Sequence, residues 1–200
     1  MLVSVIIPCN NSESTISDCL NSIKKQKYKE YEIKIIDKMS SDKTISLIKN
    51  FDFENIDIIS EADNGIYDAL NKGIFHANGK IISVLHSDDV FFDENVLSEV
   101  VDTFNKNNVE IVYGNLIYVS RNNLNKIIRF WRPGKFFNQS FLKGWSPPHP
   151  SFFVKKDTYI KFGPYKPEIG NSADIELMYR YLEILKIKNI FLDKIFIKMR

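Results

Sequence analysis

The hydrophobic pattern of the chain alternates between two periods. Val3-Ile7 is an apolar run of strand length broken only by Ser4, and Ser14-Ile23 follows with Ile16, Leu20 and Ile23 at helical spacing. Strand Glu32-Asp37, helix Thr44-Phe51, strand Ile56-Ser60, helix Ile66-Ala77 and strand Lys80-Leu85 continue the alternation. Apolar strands separated by amphipathic helices predict an α/β fold, a parallel sheet covered by helices on both faces. Such sheets bind ligands at the carboxyl ends of their strands. Polar residues collect at those positions: Pro8-Cys9-Asn10-Asn11, then Asp37, then Glu61-Ala62-Asp63-Asn64-Gly65, then His86-Ser87-Asp88-Asp89. Three of the four strand ends carry carboxylates, which points to one common cleft.

The second half is less regular. Val96-Phe104 reads as a helix and Glu110-Tyr113 as a strand, while Leu116-Val119 and Lys126-Trp131 form an antiparallel pair around the polar turn Arg121-Asn125. A Gly/Pro/aromatic loop spans Arg132-Pro150, followed by a short strand Ser151-Val154, a helix Ala173-Ile184 and a β-rich end Ile190-Lys198. The chain stops inside this last apolar stretch, which suggests truncation or missing C-terminal elements.

Composition narrows the picture. Two hundred residues with 44% apolar content suit one domain over 1–200. A balance of 27 cations against 25 carboxylates excludes a polyanion-binding arm, so no nucleic-acid partner is expected. Lys24, Lys25, Lys27 and Lys29 close the first helix, where cations complement its dipole. Cys9 and Cys19 match no zinc or redox spacing and read as reduced thiols of a cytoplasmic protein. The apolar run Leu2-Ile7 has no basic segment before it, and no run approaches the ~20 residues of a membrane span.

Asp88 and Asp89 follow a buried strand, where unpaired carboxylates are costly without a cation or water. Oxygen ligands of this kind suit Mg²⁺ or Mn²⁺, which take one or two protein carboxylates and complete their shell with phosphates. The competing role is a helix cap before the Asp93-Phe104 segment.

Val5-Ile6-Ile7-Pro8-Cys9-Asn10-Asn11-Ser12-Glu13, Glu32-Ile33-Lys34-Ile35-Ile36-Asp37, Ser40-Ser41-Asp42-Lys43-Thr44, Asn64 to Ile74 and Leu85-His86-Ser87-Asp88-Asp89 together resemble family 2 glycosyltransferases in order and spacing. The resemblance implies a GT-A fold: a Rossmann-like, mostly parallel central sheet with a small antiparallel element in the second half, divided into a nucleotide-sugar-binding half (1–115) and an acceptor-binding half (116–200). It also implies transfer from a nucleoside-diphosphate sugar with inversion. Pro8, Asn11, Glu13 and Asp37 would then hold the nucleoside, with Asp68, Asn71, Lys72, Ser87 and Asp88 also facing the donor. Lys72 reads equally well as a solvated helix residue, and Ser40, Asp42 and Thr44 as a cap. The family's Asp-any-Asp motif has His86 at its first position, which leaves Asp88 and Asp89 as the metal ligands; His86 is either a ligand or a satisfied core histidine.

The family's general base falls on Asp174 in Asn171-Ser172-Ala173-Asp174-Ile175-Glu176, where Ala173 replaces the usual Glu. His149 is assigned to phosphate or acceptor, Trp145 to a sugar face and Arg132 to diphosphate. The implied partners are a nucleotide-sugar donor and a glycan or lipid-linked glycan acceptor, handled in the cytoplasm or at the inner face of the membrane. Two other readings stay open: a nucleotidyltransferase, against which the absence of Gly and Arg in Asn10-Asn11-Ser12-Glu13 counts, and a carbohydrate- or nucleotide-binding module without catalysis.

Overall fold

The computed structural model describes residues 1–200. The strands are β1 (Val3–Cys9), β2 (Tyr31–Asp37), β3 (Ile56–Ser60), β4 (Ile81–Val84), β5 (Val90–Phe91), β6 (Ile111–Ser120), β7 (Asn123–Trp131), β8 (Phe152–Lys155) and β9 (Asn189–Met199). The helices are α1 (Ile16–Lys24), α2 (Thr44–Lys49), α3 (Ile66–His76), α4 (Val96–Lys106), α5 (Lys156–Phe162) and α6 (Ala173–Tyr179), the last continued by a wider turn over Arg180–Ile184.

All nine strands form one sheet, ordered β3-β2-β1-β4-β8-β6-β9-β5, with β7 paired to β6. β3, β2, β1 and β4 are parallel, and the antiparallel β8 inserted between β4 and β6 restores the same direction to β6 and β9. The mostly parallel, Rossmann-like layer with an antiparallel element in the second half is therefore present.

Alternation along β1 explains both faces. Val5 and Ile7 pack with Ile16, Leu20, Ile23 and Val100 of α1 and α4, whereas Ile6 packs with Ala69, Leu70 and Ile74 of α3. Gly73 lets α3 approach this closely, because a Cβ there would overlap the Ile6 side chain. At the other end of the strands, buried Glu32 accepts hydrogen bonds from Ser4 Oγ and the Asn78 backbone and side-chain amides, and pairs with Lys34 at 3.0 Å. Burial raises its pKa, but these donors outweigh that and bring it down to about 2.

Several boundaries differ from the sequence pattern. The strands expected at Glu110-Tyr113 and Leu116-Val119 are one strand, β6, passing through Gly114, against which Phe196 packs too closely for a Cβ. The division at 115/116 consequently falls inside β6. The short strand β5 and the helix α5 have no counterpart in the sequence reading; β5 is a two-residue element made only by pairing with β9.

Candidate active site

A cleft of about 760 Å³ opens at the carboxyl ends of β1, β2 and β4. Pro8, Asn11, Ser87 and Asp88 line it, joined by Lys38, Asp63, Gly65, Arg121 and Arg200. The β1–α1 loop is fixed from the β2–α2 loop. The Asn11 backbone N–H donates to Ser40 Oγ at 2.8 Å, Asn11 Oδ1 accepts the Ser41 N–H at 2.9 Å, and the Ser12 N–H donates to Thr44 Oγ1 at 2.7 Å. Asn11 adopts φ 49°, a left-handed conformation that asparagine tolerates well. Ser12 and Ser87 hydroxyls lie 2.8 Å apart, tying the end of β4 to the same loop. Gly65, at φ 120°, begins α3 from a conformation that only glycine adopts readily.

Other expected donor residues act from behind this wall. Asp37 is fully buried and accepts hydrogen bonds from Ser60 Oγ at 2.6 Å and from the Ser40 hydroxyl and N–H. It braces the β2–α2 loop instead of lining the cleft. Glu13 Oε2 accepts the Lys43 N–H at 3.0 Å, and Asp42 accepts the Thr44 N–H at 2.9 Å in a turn preceding α2, in keeping with the capping role.

Three expected donor contacts are not brought to the cleft. Asn71 exchanges hydrogen bonds with the Tyr165 backbone at 2.9 and 3.0 Å, clamping α3 to the second half. Lys72 is spent on Glu61 at 2.9 Å and the Ala62 carbonyl, and Asp68 accepts the Asn64 N–H. Arg132 is ion-paired with Asp193, and Trp145 donates to the Pro133 carbonyl at 2.6 Å among Tyr113, Phe136 and Phe141. Both stabilise the 132–150 loop, away from the cleft.

A second cavity of about 380 Å³ holds Asp174, Asp88, Asp89, His86 and His149, with Tyr67, Tyr118 and Trp131 on its walls. Ile66, His86, Asp88 and Arg200 border both cavities, which makes them neighbouring compartments. Asp174 sits in the first turn of α6, and Tyr67 of α3 donates to its Oδ1 at 3.0 Å. Its second oxygen receives no hydrogen bond from the protein. Burial and the Asp174 charge push the Tyr67 hydroxyl up to about 12, so it stays a donor.

His149 Nε2 lies 2.6 Å from Tyr165 Oη, and the His86 and His149 rings meet edge-on at 5.9 Å. Burial, reinforced by His86, lowers the His149 pKa to about 4, and burial lowers that of His86.

No three His, Cys, Asp or Glu side chains converge to hold a metal unaided. Asp88 is exposed, borders both compartments and has no protein partner on its carboxylate. Asp89 lies beneath it, 2% exposed, accepting the Arg200 N–H at 3.2 Å. Burial and then the Asp88 charge raise its pKa well above the usual carboxylate range. This donor set fits a cation that takes most of its ligands from substrate phosphates.

Sequence reasoning missed Arg121, Arg200, Tyr118 and Trp131. Arg121 sits in the β6–β7 turn with its guanidinium unpaired at the cleft, and Arg200 reaches back to donate to the Asp88 carbonyl at 2.9 Å.

The sequence profile described as "Glycosyl transferase family 2" matches residues 4–155, more than half of the chain. The chain belongs to glycosyltransferase family 2. Among family members, the Escherichia coli UDP-Glc:alpha-D-GlcNAc-diphosphoundecaprenol beta-1,3-glucosyltransferase WfgD is 33% identical over 143 residues, which cover 71% of this chain and 55% of the relative. S. aureus TarS superposes with a TM-score of 0.78 at 20% identity over 100% of this chain and 60% of its own. The mannosyltransferase PcManGT from Pyrobaculum calidifontis, solved with GDP-Man and Mn2+, gives a TM-score of 0.72 at 20% identity over 97% of this chain and 55% of its own. The chain thus spans a little over half the length of these relatives.

Proposed function

We infer that the protein transfers a sugar from a nucleoside-diphosphate sugar to a hydroxyl of a glycan or lipid-linked glycan acceptor, with inversion at the anomeric carbon. The observation that carries this reading is the placement of Asp88 and Asp174 in one cavity that adjoins the 760 Å³ cleft. The larger compartment takes the nucleoside diphosphate against Pro8, Asn11 and Ser87, with Arg121 supplying positive charge, while Arg200 is ion-paired with Asp18. The smaller one takes the acceptor.

Asp174 accepts the proton of the acceptor hydroxyl on its free oxygen as that hydroxyl's oxygen bonds to the anomeric carbon. The bond from that carbon to the diphosphate oxygen breaks with its electron pair, leaving a nucleoside diphosphate. Tyr67 holds the carboxylate in place through the other oxygen. Asp88, backed by Asp89, would hold Mg²⁺ or Mn²⁺ against the diphosphate, and the bound cation supplies compensation for the negative charge on the leaving group. Neutral His86 and His149 keep further positive charge out of the acceptor compartment. The E. coli relative, which is named for a UDP-glucose donor and a diphosphoundecaprenol-linked acceptor, supports this substrate class. Absence of a helix long and apolar enough to cross a membrane is compatible with a lipid-linked acceptor reached at the membrane surface.

The test is to incubate the protein with UDP- and GDP-sugars, Mn²⁺ and glycan acceptors, and to measure nucleoside diphosphate release. Asp174→Asn should retain donor affinity by calorimetry while turnover falls by roughly 10²- to 10⁴-fold. Donor binding without any acceptor-dependent release would instead identify a binding module.

A further inference from the structure

Eight cations and no acidic residue lie between Ile111 and Lys156, a stretch that includes the β6–β7 hairpin. Two of these cations have carboxylate partners in the fold, Arg132 with Asp193 and Lys155 with Glu110. Arg129 has none. Its side chain is exposed, and its guanidinium lies 5.5 Å from the Tyr118 ring centre and 5.8 Å from that of Trp131. Those two rings are 5° from parallel with centres 6.3 Å apart, and both line the cavity that holds Asp174.

Strand pairing produces this arrangement. Arg129 sits opposite Tyr118 across the hairpin and Trp131 opposite Leu116; pairing is regular between these positions, so Arg129 and Trp131, two residues apart, share the face of Tyr118, and the register shifts only beyond Tyr118. A guanidinium laid on two aromatic faces loses much of its conformational freedom, yet its N–H edge stays free to grip an anion with two parallel hydrogen bonds. A cation placed there only for solubility has no reason to be oriented by two rings that also wall the acceptor compartment.

We propose that Arg129, seated on Tyr118 and Trp131, is the recognition site for an anionic group on the acceptor, a phosphate, diphosphate or carboxylate next to the sugar whose hydroxyl faces Asp174. The inference rests on the assignment of the Asp174 cavity to the acceptor. It makes acceptor choice a matter of charge at this position: neutral glycans fill the same cavity without engaging Arg129.

The experiment uses the whole chain with its donor cleft saturated by Mn²⁺ and whichever of UDP and GDP binds. Three probes are titrated by calorimetry: an alkyl hexosyl phosphate, the alkyl glycoside of a uronic acid and a neutral alkyl glycoside. Both or one of the anionic probes should bind at least about tenfold more tightly than the neutral one, in line with charge-assisted hydrogen bonds. Arg129→Gln should abolish that preference without changing the affinity for the nucleotide or for the neutral probe. Arg129→Lys, which keeps the charge but loses the planar fork, should restore only part of it. The arm that binds more tightly identifies phosphate or carboxylate as the group. Equal affinity for anionic and neutral probes, or a preference that survives Arg129→Gln, overturns the proposal. If neither nucleotide binds, the donor reading fails separately, and the same probe titration without nucleotide still decides the role of Arg129.

Discussion

Tyr67 and Asp174 are 107 residues apart in sequence, and the Tyr67 hydroxyl donates to the Asp174 carboxylate at 3.0 Å. This contact joins α3 of the first half of the chain to α6 of the second. The same hydroxyl lies 3.1 Å from the Asn171 carbonyl, which sets the start of α6 against α3. Tyr67→Phe removes the hydrogen bond and keeps the ring that packs on Tyr165. We expect kcat to fall about tenfold, the worth of one hydrogen bond to a charged group, with the KM for donor unchanged. A change in donor KM alone would show that Tyr67 serves the nucleotide instead.

Asp88 should carry the metal dependence. Asp88→Asn leaves the loop's backbone contacts intact, since its carboxylate takes part in none of them, but removes the exposed charge. Nucleoside diphosphate affinity measured with and without Mn²⁺ should differ at least about tenfold in the unaltered protein and hardly at all in the variant. An Asp88→Asn protein that retained the full Mn²⁺ effect would place the cation elsewhere.

The packed histidine pair, of which His149 is buried, predicts acid sensitivity of the fold. His149 titrates near 6.5 when unfolded and at about 4 when folded, because burial opposes its charge. Between those values the unfolded chain binds more protons, so stability is intact above about pH 6.5, falls as the pH is lowered towards 4, and levels off below. The loss from His149 is about 3 kcal/mol, and His86, shifted in the same direction, adds to it. Urea unfolding at a series of pH values should show this slope. His149→Gln should flatten it, and an unchanged slope would contradict the assignment.

Gly73 offers a test of the packing that seats α3. Ala at this helical position has the better intrinsic propensity, yet its Cβ would overlap Ile6. We expect Gly73→Ala to destabilise the fold by about 1–3 kcal/mol in urea unfolding, and Gly73→Ala with Ile6→Val to recover part of the loss. Stabilisation by the single change would mean that α3 moves freely over β1.

β1 and β4 were legible because they are buried on both faces and read as nearly unbroken apolar sequence; β2 keeps enough of that pattern around the paired Glu32 and Lys34, and β3, the partly exposed edge strand, was legible from its isoleucines. The same logic located Pro8, Asn11, Ser87 and Asp88, since a parallel sheet leaves its strand ends at one edge. Partner-dependent residues were not legible. Arg132, Trp145, Asn71 and Lys72 have the right chemistry for a ligand site, but Asp193, Pro133, Tyr165 and Glu61 claim them, all four from more than ten residues away in sequence. Tyr118, Trp131 and Arg121 escaped for the converse reason. Their approach to the site follows from hairpin register and from the course of β6 across the sheet, which no local period encodes.

The insertion of β8 beside β4 has a consequence for biosynthesis. Ile82 pairs with Val154, so the outer edge of the nucleotide-binding sheet stays open until a strand about 70 residues downstream has been made. At ~5–20 residues per second, translation leaves that edge uncovered for something like 4–15 s. Ile81 to Val84 are wholly apolar apart from Ser83, a sequence prone to pairing with other chains while unprotected. The nascent protein is therefore most vulnerable to aggregation while its first half already holds native strands, and slowing the ribosome between codons 85 and 155 should lower the soluble yield more than the same delay elsewhere.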